Sequence, residues 1–166
     1  RTAADDAERD ILWKGRKGAF GAVAQVKPNY YLHDTVVPRA RLAEVIEKVY
    51  EITARYGIDV INVFHAGDGN LHPLLVYDAR EEGMVDKVHA AGREIVTFSV
   101  EVGGVLSGEH GIGLEKRDLM PLMFSEVDLA AQEALRAAFD PKLLANPNKV
   151  LPNPATCGDM HAVPEG

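Results

Sequence analysis

Two short β-branched and apolar runs, Val60 to Phe64 and Leu71 to Tyr77, are separated only by His65-Ala66-Gly67-Asp68-Gly69-Asn70. A connection this short and this rich in glycine reads as a turn, and it suits pairing of the two runs as an antiparallel hairpin. Tyr30 to Val37, β-branched and aromatic, reads as a further strand. Helical spacing of apolar residues marks the rest. Residues 2–20 form one such pattern, loosened after Gly15, Gly18 and Gly21. Pro38 opens a second that runs to Tyr56, with Leu42, Val45, Ile46 and Val49 on one face and Gly57 as its stop. Glu81 to Val102 carries a third through Met84, Val88, Ala91, Ile95 and Phe98. Ser125 to Phe139 is a fourth, with Ser125 and Asp128 in capping-box spacing. This order predicts an α+β fold, a mainly antiparallel sheet covered by helices on one face.

Composition narrows the function. The chain has 166 residues, 25 of them acidic and 18 basic, for a formal charge of −7. No basic run exceeds a pair, which leaves nothing to neutralise nucleic-acid phosphates. No apolar stretch approaches the ~18 residues of a membrane span. The one cysteine, Cys157, cannot make an internal disulfide or a four-thiolate metal site, and predicts a reducing, cytoplasmic setting. Arg1 stands where an initiator methionine would, and the residues after it read like the middle of a helix. Both features predict a fragment of a longer chain. Its organisation is expected to be one domain over residues 1–152 and an irregular tail over 153–166.

The hairpin carries the clearest chemistry. If Asp68-Gly69 is a two-residue turn, His65 and His72 face each other directly on one side of the sheet, with Cβ atoms about 5 Å apart. Two converging imidazoles suit a divalent ion. The competing reading is a turn-capping histidine beside a satisfied core histidine. Gly67 and Gly69 together bring the site reading level with it, because a hairpin alone does not need both and close approach of a ligand does.

A second segment is Ser107-Gly108-Glu109-His110-Gly111-Ile112-Gly113. It sets a hard carboxylate ligand beside an imidazole, the side chain whose ordinary pKa suits it to accept a hydroxyl proton near neutrality. Two histidines plus Glu109 make three protein ligands, the pattern of a catalytic rather than a structural ion, and such a set admits zinc, manganese or iron. The glycine order matches neither the dinucleotide fingerprint nor the P-loop. Arg16 could grip a substrate carboxylate with its fork of donors, or it is a solvated basic residue near a helix end. Asn146-Pro147-Asn148-Lys149 is by itself an ordinary turn. His33, His89 and His161 have no partner pattern.

Taken together, several segments resemble a known family. They are Trp13-Lys14-Gly15-Arg16-Lys17, Tyr30-Tyr31, and Asp34-Thr35-Val36-Val37-Pro38-Arg39. Asn62 to Pro73, Gly103 to Gly113, Phe139-Asp140-Pro141 and Asn146 to Pro152 continue the match. The chain resembles the C-terminal domain of the FAD-linked glycolate oxidase and D-lactate dehydrogenase family, flavoenzymes of the vanillyl-alcohol-oxidase type.

The resemblance implies a ferredoxin-like cap over FAD that an absent N-terminal domain mainly binds. It implies a small 2-hydroxyacid substrate and oxidation by hydride transfer to the flavin. It matches His65, His72 and Glu109 to metal ligands, His110 to the catalytic base and Arg16 to the substrate-carboxylate arginine. Asn146 and Lys149 fall in a segment near the flavin. Phe20 and Leu32 stand where hydroxyglutarate enzymes carry polar residues, which points to glycolate or lactate. Iron–sulfur and second flavin-like subunits are the partners the family implies, with membrane association through them. Apolar surface meant for the flavin domain would favour a homo-oligomer of the isolated cap. The alternative from another class is a metal-binding or subunit-contact module with no catalysis of its own.

Overall fold

The computed structural model describes residues 2–152. The expected tail over 153–166, with Cys157 and His161, lies outside the described residues.

Among the described residues, four α-helices and four strands follow in order: α1 Asp6–Val23, β1 Asn29–Leu32, β2 Thr35–Val36, α2 Leu42–Tyr56, β3 Asp59–His65, β4 Asn70–Tyr77, α3 Met84–Glu101 and α4 Glu126–Phe139. β4 is the centre of an antiparallel sheet. It pairs with β3 along one side and with β1 and β2, end to end, along the other. The expected α+β architecture is the observed one.

The single strand expected over 30–37 is two. β1 and β2 keep the same register against β4, and His33 between them still donates its amide to the Pro73 carbonyl at 3.0 Å. Pro73 has no N–H to return, so the ladder is interrupted there. The chain nonetheless stays in line, and it sets Asp34 opposite His72.

Alternation along β4 divides the molecule. Leu71 and Leu75 point to one face, where Val45, Val49 and Ile52 of α2 and Val88, Ala91 and Ile95 of α3 close over them. Each of these side chains is at most 2% exposed, and burying one of the valines, leucines or isoleucines stabilises the fold by about 1.5–3 kcal/mol. Leu74 and Val76 point the other way and meet Val23 at the end of α1, flanked by Leu32, Ile61 and Val63. Further along this second face come His72 and Asn70, buried and polar. Helices α2 and α3 thus cover one face, and the polar residues lie on the other.

Local signals set the ends of the elements. Gly57 caps α2 in the left-handed conformation, φ 68°. Ser125 and Asp128 form the expected capping box of α4. Three bounds shift. The first helix begins at Asp6 because the Asp5 carboxylate accepts the Glu8 amide at 2.8 Å, and it continues through its glycines to Val23. The third begins at Met84, behind Gly83 at φ 69°. A 3₁₀ turn, Arg117–Leu122 with Pro121 inside it, was not expected from the sequence. It buries Leu119 and Met120 against Val96 and Leu106.

Among the described residues no helix is long and apolar enough to cross a membrane.

Candidate functional site

The expected two-residue turn is not formed. His65 lies opposite Asn70 and His72 opposite Val63, so the loop is the four residues Ala66 to Gly69. A two-residue Asp-Gly turn of the hairpin type needs positive φ at both positions. Only Gly69, at φ 73°, has it. The Asp68 amide instead bonds the His65 carbonyl at 3.0 Å. A Cβ on Gly69 would lie 2.1 Å from the Val37 carbonyl oxygen, so the loop is seated on the chain just past β2 by a contact only glycine permits. The register is displaced by two residues, and a displacement of two preserves the face. His65 and His72 therefore still share one side of the sheet, diagonally, with ring centroids 5.5 Å apart and planes at 89°.

The Ser107 to Gly111 loop is held over these rings by one buried side chain. Oδ2 of Asp34 accepts from Ser107 Oγ at 2.5 Å and from the amides of Gly108, Glu109 and His110 at 3.0, 3.0 and 2.9 Å. Ser107 Oγ in turn accepts the Gly111 amide at 2.7 Å. A side chain at Gly108 would come within 2.5 Å of Val36 Cγ2, so glycine there lets the loop lie on the strand.

The result is a convergence. Glu109 Oε1 is 3.5 Å from His65 Nε2, and its Oε2 is 3.6 Å from His72 Nε2. The ligand atoms of His65, His72 and Glu109 all lie within 4.8 Å of one another. The His110 ring stacks on His72 at 5.2 Å, 17° from parallel. His65 is 42% exposed, Glu109 52% and His72 7%, so the cluster opens to solvent on the His65 and Glu109 side.

Burial shapes the electrostatics. Burial alone would raise the Asp34 carboxyl, but the Ser107 hydroxyl, the His110 and Glu109 amides and the Lys116 ammonium outweigh it and hold it at about 2. The carboxylate is therefore charged. Burial lowers the pKa of His72, against the raising influence of Asp34 and Glu109. Burial also lowers Lys116, whose ammonium donates to the Asp34 and Leu106 carbonyls. On the opposite face His33, packed against Gly92, is pushed down to about 3 by burial, then by Lys116 and His89.

These residues fit a divalent ion. The Glu109–histidine separations of 3.5 and 3.6 Å exceed hydrogen-bond length. They are close to the ~3.4 Å edge of a tetrahedron whose ligands sit about 2.1 Å from a central ion. His72, with its lowered pKa, presents the neutral imidazole that a metal requires.

The other residues singled out in the sequence divide. Lys149 lines a cavity of about 390 Å³ together with His110, Asp34 and Leu32. Its ammonium bonds Asn146 Oδ1 at 3.1 Å, which places Asn146 beside this cavity's edge. Arg16 makes no hydrogen bond or ion pair with the cluster among the described residues. It is exposed on α1, its guanidinium 5.9 Å from the centre of the Trp13 ring. The Phe20 side chain lies outside the described residues. Sequence reasoning missed Asp34 and Lys116 as parts of the site. The available signal was a lone carboxylate inside a β-branched, aromatic strand, which burial would make costly unless it were fully hydrogen-bonded.

Comparison with known proteins supplies the family context. Residues 1–150 match the family described as FAD linked oxidases, C-terminal domain. The chain is 44% identical over 163 residues to glycolate oxidase subunit GlcD of Escherichia coli (strain K12), covering 98% of this chain and 33% of that protein. It is 37% identical over 150 residues to GlcD of Bacillus subtilis (strain 168), covering 90% and 32%. It is 37% identical over 119 residues to D-lactate dehydrogenase of Archaeoglobus fulgidus, covering 71% and 26%. The chain spans about a third of the length of the GlcD relatives it matches.

Proposed function

The chain belongs to the family of FAD linked oxidases, C-terminal domain, and from that membership we propose that residues 1–152 are the substrate-covering domain of a flavin-dependent 2-hydroxyacid oxidoreductase. The substrate is a small acid, glycolate or D-lactate, and the active enzyme requires the FAD-binding portion that precedes this domain in longer relatives. The observation that carries the proposal is the convergence of His65, His72 and Glu109 with His110 stacked beside them.

In this reading His65, His72 and Glu109 hold a divalent ion, zinc, manganese or iron, and leave open the side facing solvent and substrate. When bound, the ion would supply Lewis acidity toward the α-hydroxyl and the flavin would supply the two-electron acceptor for the α-hydrogen. His110 takes the hydroxyl proton, so the hydroxyacid leaves as the 2-oxo acid with one proton on the imidazole. Arg16, on the exposed face of α1, binds the substrate carboxylate once the flavin portion completes the pocket. Asn146 and Lys149 approach the flavin. Leu32, apolar beside His110 in the cavity, suits a short substrate without a second carboxylate. The enzyme works in the cytoplasm, with iron–sulfur and second flavin-like subunits that can bring it to a membrane. The exposed apolar residues of α1 and α4, Ile11, Trp13, Leu135 and Phe139 among them, meet these partners or a second copy.

The test joins this chain to its flavin-binding portion and follows reduction of a dye by glycolate or D-lactate. His110→Ala is expected to lower kcat at least ~10²-fold. Unchanged turnover would remove His110 from the chemistry. Metal binding without dye reduction by any 2-hydroxyacid would favour a metal-binding or subunit-contact module.

A further inference from the structure

Resting on the metal reading above, we infer that Asp34 is the positioning residue that joins the two halves of the site. One of its oxygens sets the backbone that carries Glu109 and His110, and the other fixes the proton of His72 on Nδ1, leaving Nε2 free to ligate.

Two independent features carry this. The first is the division between the oxygens of Asp34. Oδ2 accepts four hydrogen bonds from Ser107 to His110, whereas Oδ1 is buried and has no hydrogen-bond partner. An unmet carboxylate oxygen in the interior is costly unless a donor completes it. The second is the state of His72. Its Nδ1 is also buried and has no side-chain partner. The one competing acceptor is the His33 backbone, which also favours a proton on this ring. An Nδ1–H tautomer that persists in Asp34→Asn would therefore assign the proton to His33 and overturn the role given to Asp34. Asp34 Oδ1 and His72 Nδ1 face each other at 3.9 Å, about 1 Å beyond hydrogen-bond length. Strand register accounts for the meeting. With His33 hydrogen-bonded to Pro73, Asp34 and His72 are the next pair across the ladder, a non-hydrogen-bonded pair whose side chains stand closest.

The proton count then selects one tautomer. A neutral imidazole has one donor and one acceptor nitrogen. Nε2 of His72 faces Glu109 in the ligand cluster and must be unprotonated to bind an ion, so the proton belongs on Nδ1, opposite the carboxylate oxygen that can accept it. A carboxylate behind a ligating histidine holds the ring and makes its other nitrogen more basic. Asp34 therefore couples the hairpin to the Gly-Glu-His loop through one side chain that is 1% exposed.

Asp34→Asn tests the inference. The amide keeps one oxygen for Ser107 and the loop amides but turns an NH₂ donor toward His72. In this chain at pH 7.5, nitrogen-detected magnetic resonance should show His72 as the Nδ1–H tautomer, changing to Nε2–H in Asp34→Asn. Zn²⁺ affinity by calorimetry should fall ~10–100-fold in the variant. Loss of packing alone would lower the unfolding midpoint without exchanging the tautomer. An Nε2–H tautomer in the unaltered chain, or undiminished Zn²⁺ affinity in Asp34→Asn, would overturn the inference. Should the variant fail to fold, Asp34→Ser takes its place in the same two measurements, with the same outcomes deciding. Should the unaltered chain bind no Zn²⁺, the metal reading fails, and the tautomer still decides what Asp34 does.

Discussion

The two faces of the sheet differ in chemistry although the same strand supplies both. Toward α2 and α3, β4 offers Leu71 and Leu75, each at most 1% exposed, to a layer of valine, isoleucine and alanine. Toward the other side it offers Leu74 and Val76, then His72 and Asn70. The comparison shows how a small domain keeps a metal-type cluster from weakening its core. Alternation sends neighbouring side chains to opposite faces, so the polar residues sit one residue away in sequence and a full sheet thickness away in space. His33 and Asp34 repeat the division on the adjoining strand: His33 meets Gly92 of α3, and Asp34 meets the histidine cluster.

The separation can be broken from either side. Leu75→Ala should cost about 2–5 kcal/mol of unfolding free energy in urea, the range for truncating a buried leucine. The Zn²⁺ affinity of the molecules that remain folded should not change. A loss of affinity there would mean that the two faces are coupled. From the other side, His65→Ala should weaken Zn²⁺ binding by at least ~100-fold, near 2.7 kcal/mol. Because His65 is 42% exposed, unfolding of the metal-free chain should stay within about 0.5 kcal/mol. Destabilisation well beyond that would place His65 in the core.

The smallest of these effects concerns pH. The folded-state pKa of His33 is about 3, against an ordinary value of 6.5. The unfolded chain therefore takes up the proton first. The stability associated with the neutral ring is complete above about 6.5 and declines as pH falls toward about 3. Between pH 6.5 and 5 the loss should be about 2 kcal/mol. His33→Gln should flatten the urea midpoint over that interval. An unchanged slope would assign the acid sensitivity to other groups.

Much of this could be read in advance. Leu42, Val45, Ile46 and Val49 announced the buried stripe of α2. Ser125 with Asp128 announced the cap of α4, and β-branched runs announced the strands. Each is a relation between residues at most a few positions apart, where propensity and periodicity act. The register of the hairpin was less legible. Asp-Gly suggested the tighter turn, and the contact of Gly69 with Val37, some thirty residues away, accompanies the wider one. The shared face of His65 and His72 survived the error only because the displacement was even.

Asp34 stood out in the sequence only as a carboxylate in a strand; its partners were not legible. Its donors lie 73 to 76 residues further along the chain, and nothing near it in sequence announces them. By itself the sequence determined an antiparallel hairpin, the helical faces that cover it, and an inventory of two histidines and a Glu-His pair able to hold an ion and accept a proton. Tertiary structure alone decided that Glu109 meets both histidines and that a single buried carboxylate ties the loop to the strand. Periodicity reports which way a side chain points, whereas the partner it meets depends on how distant segments close around the sheet.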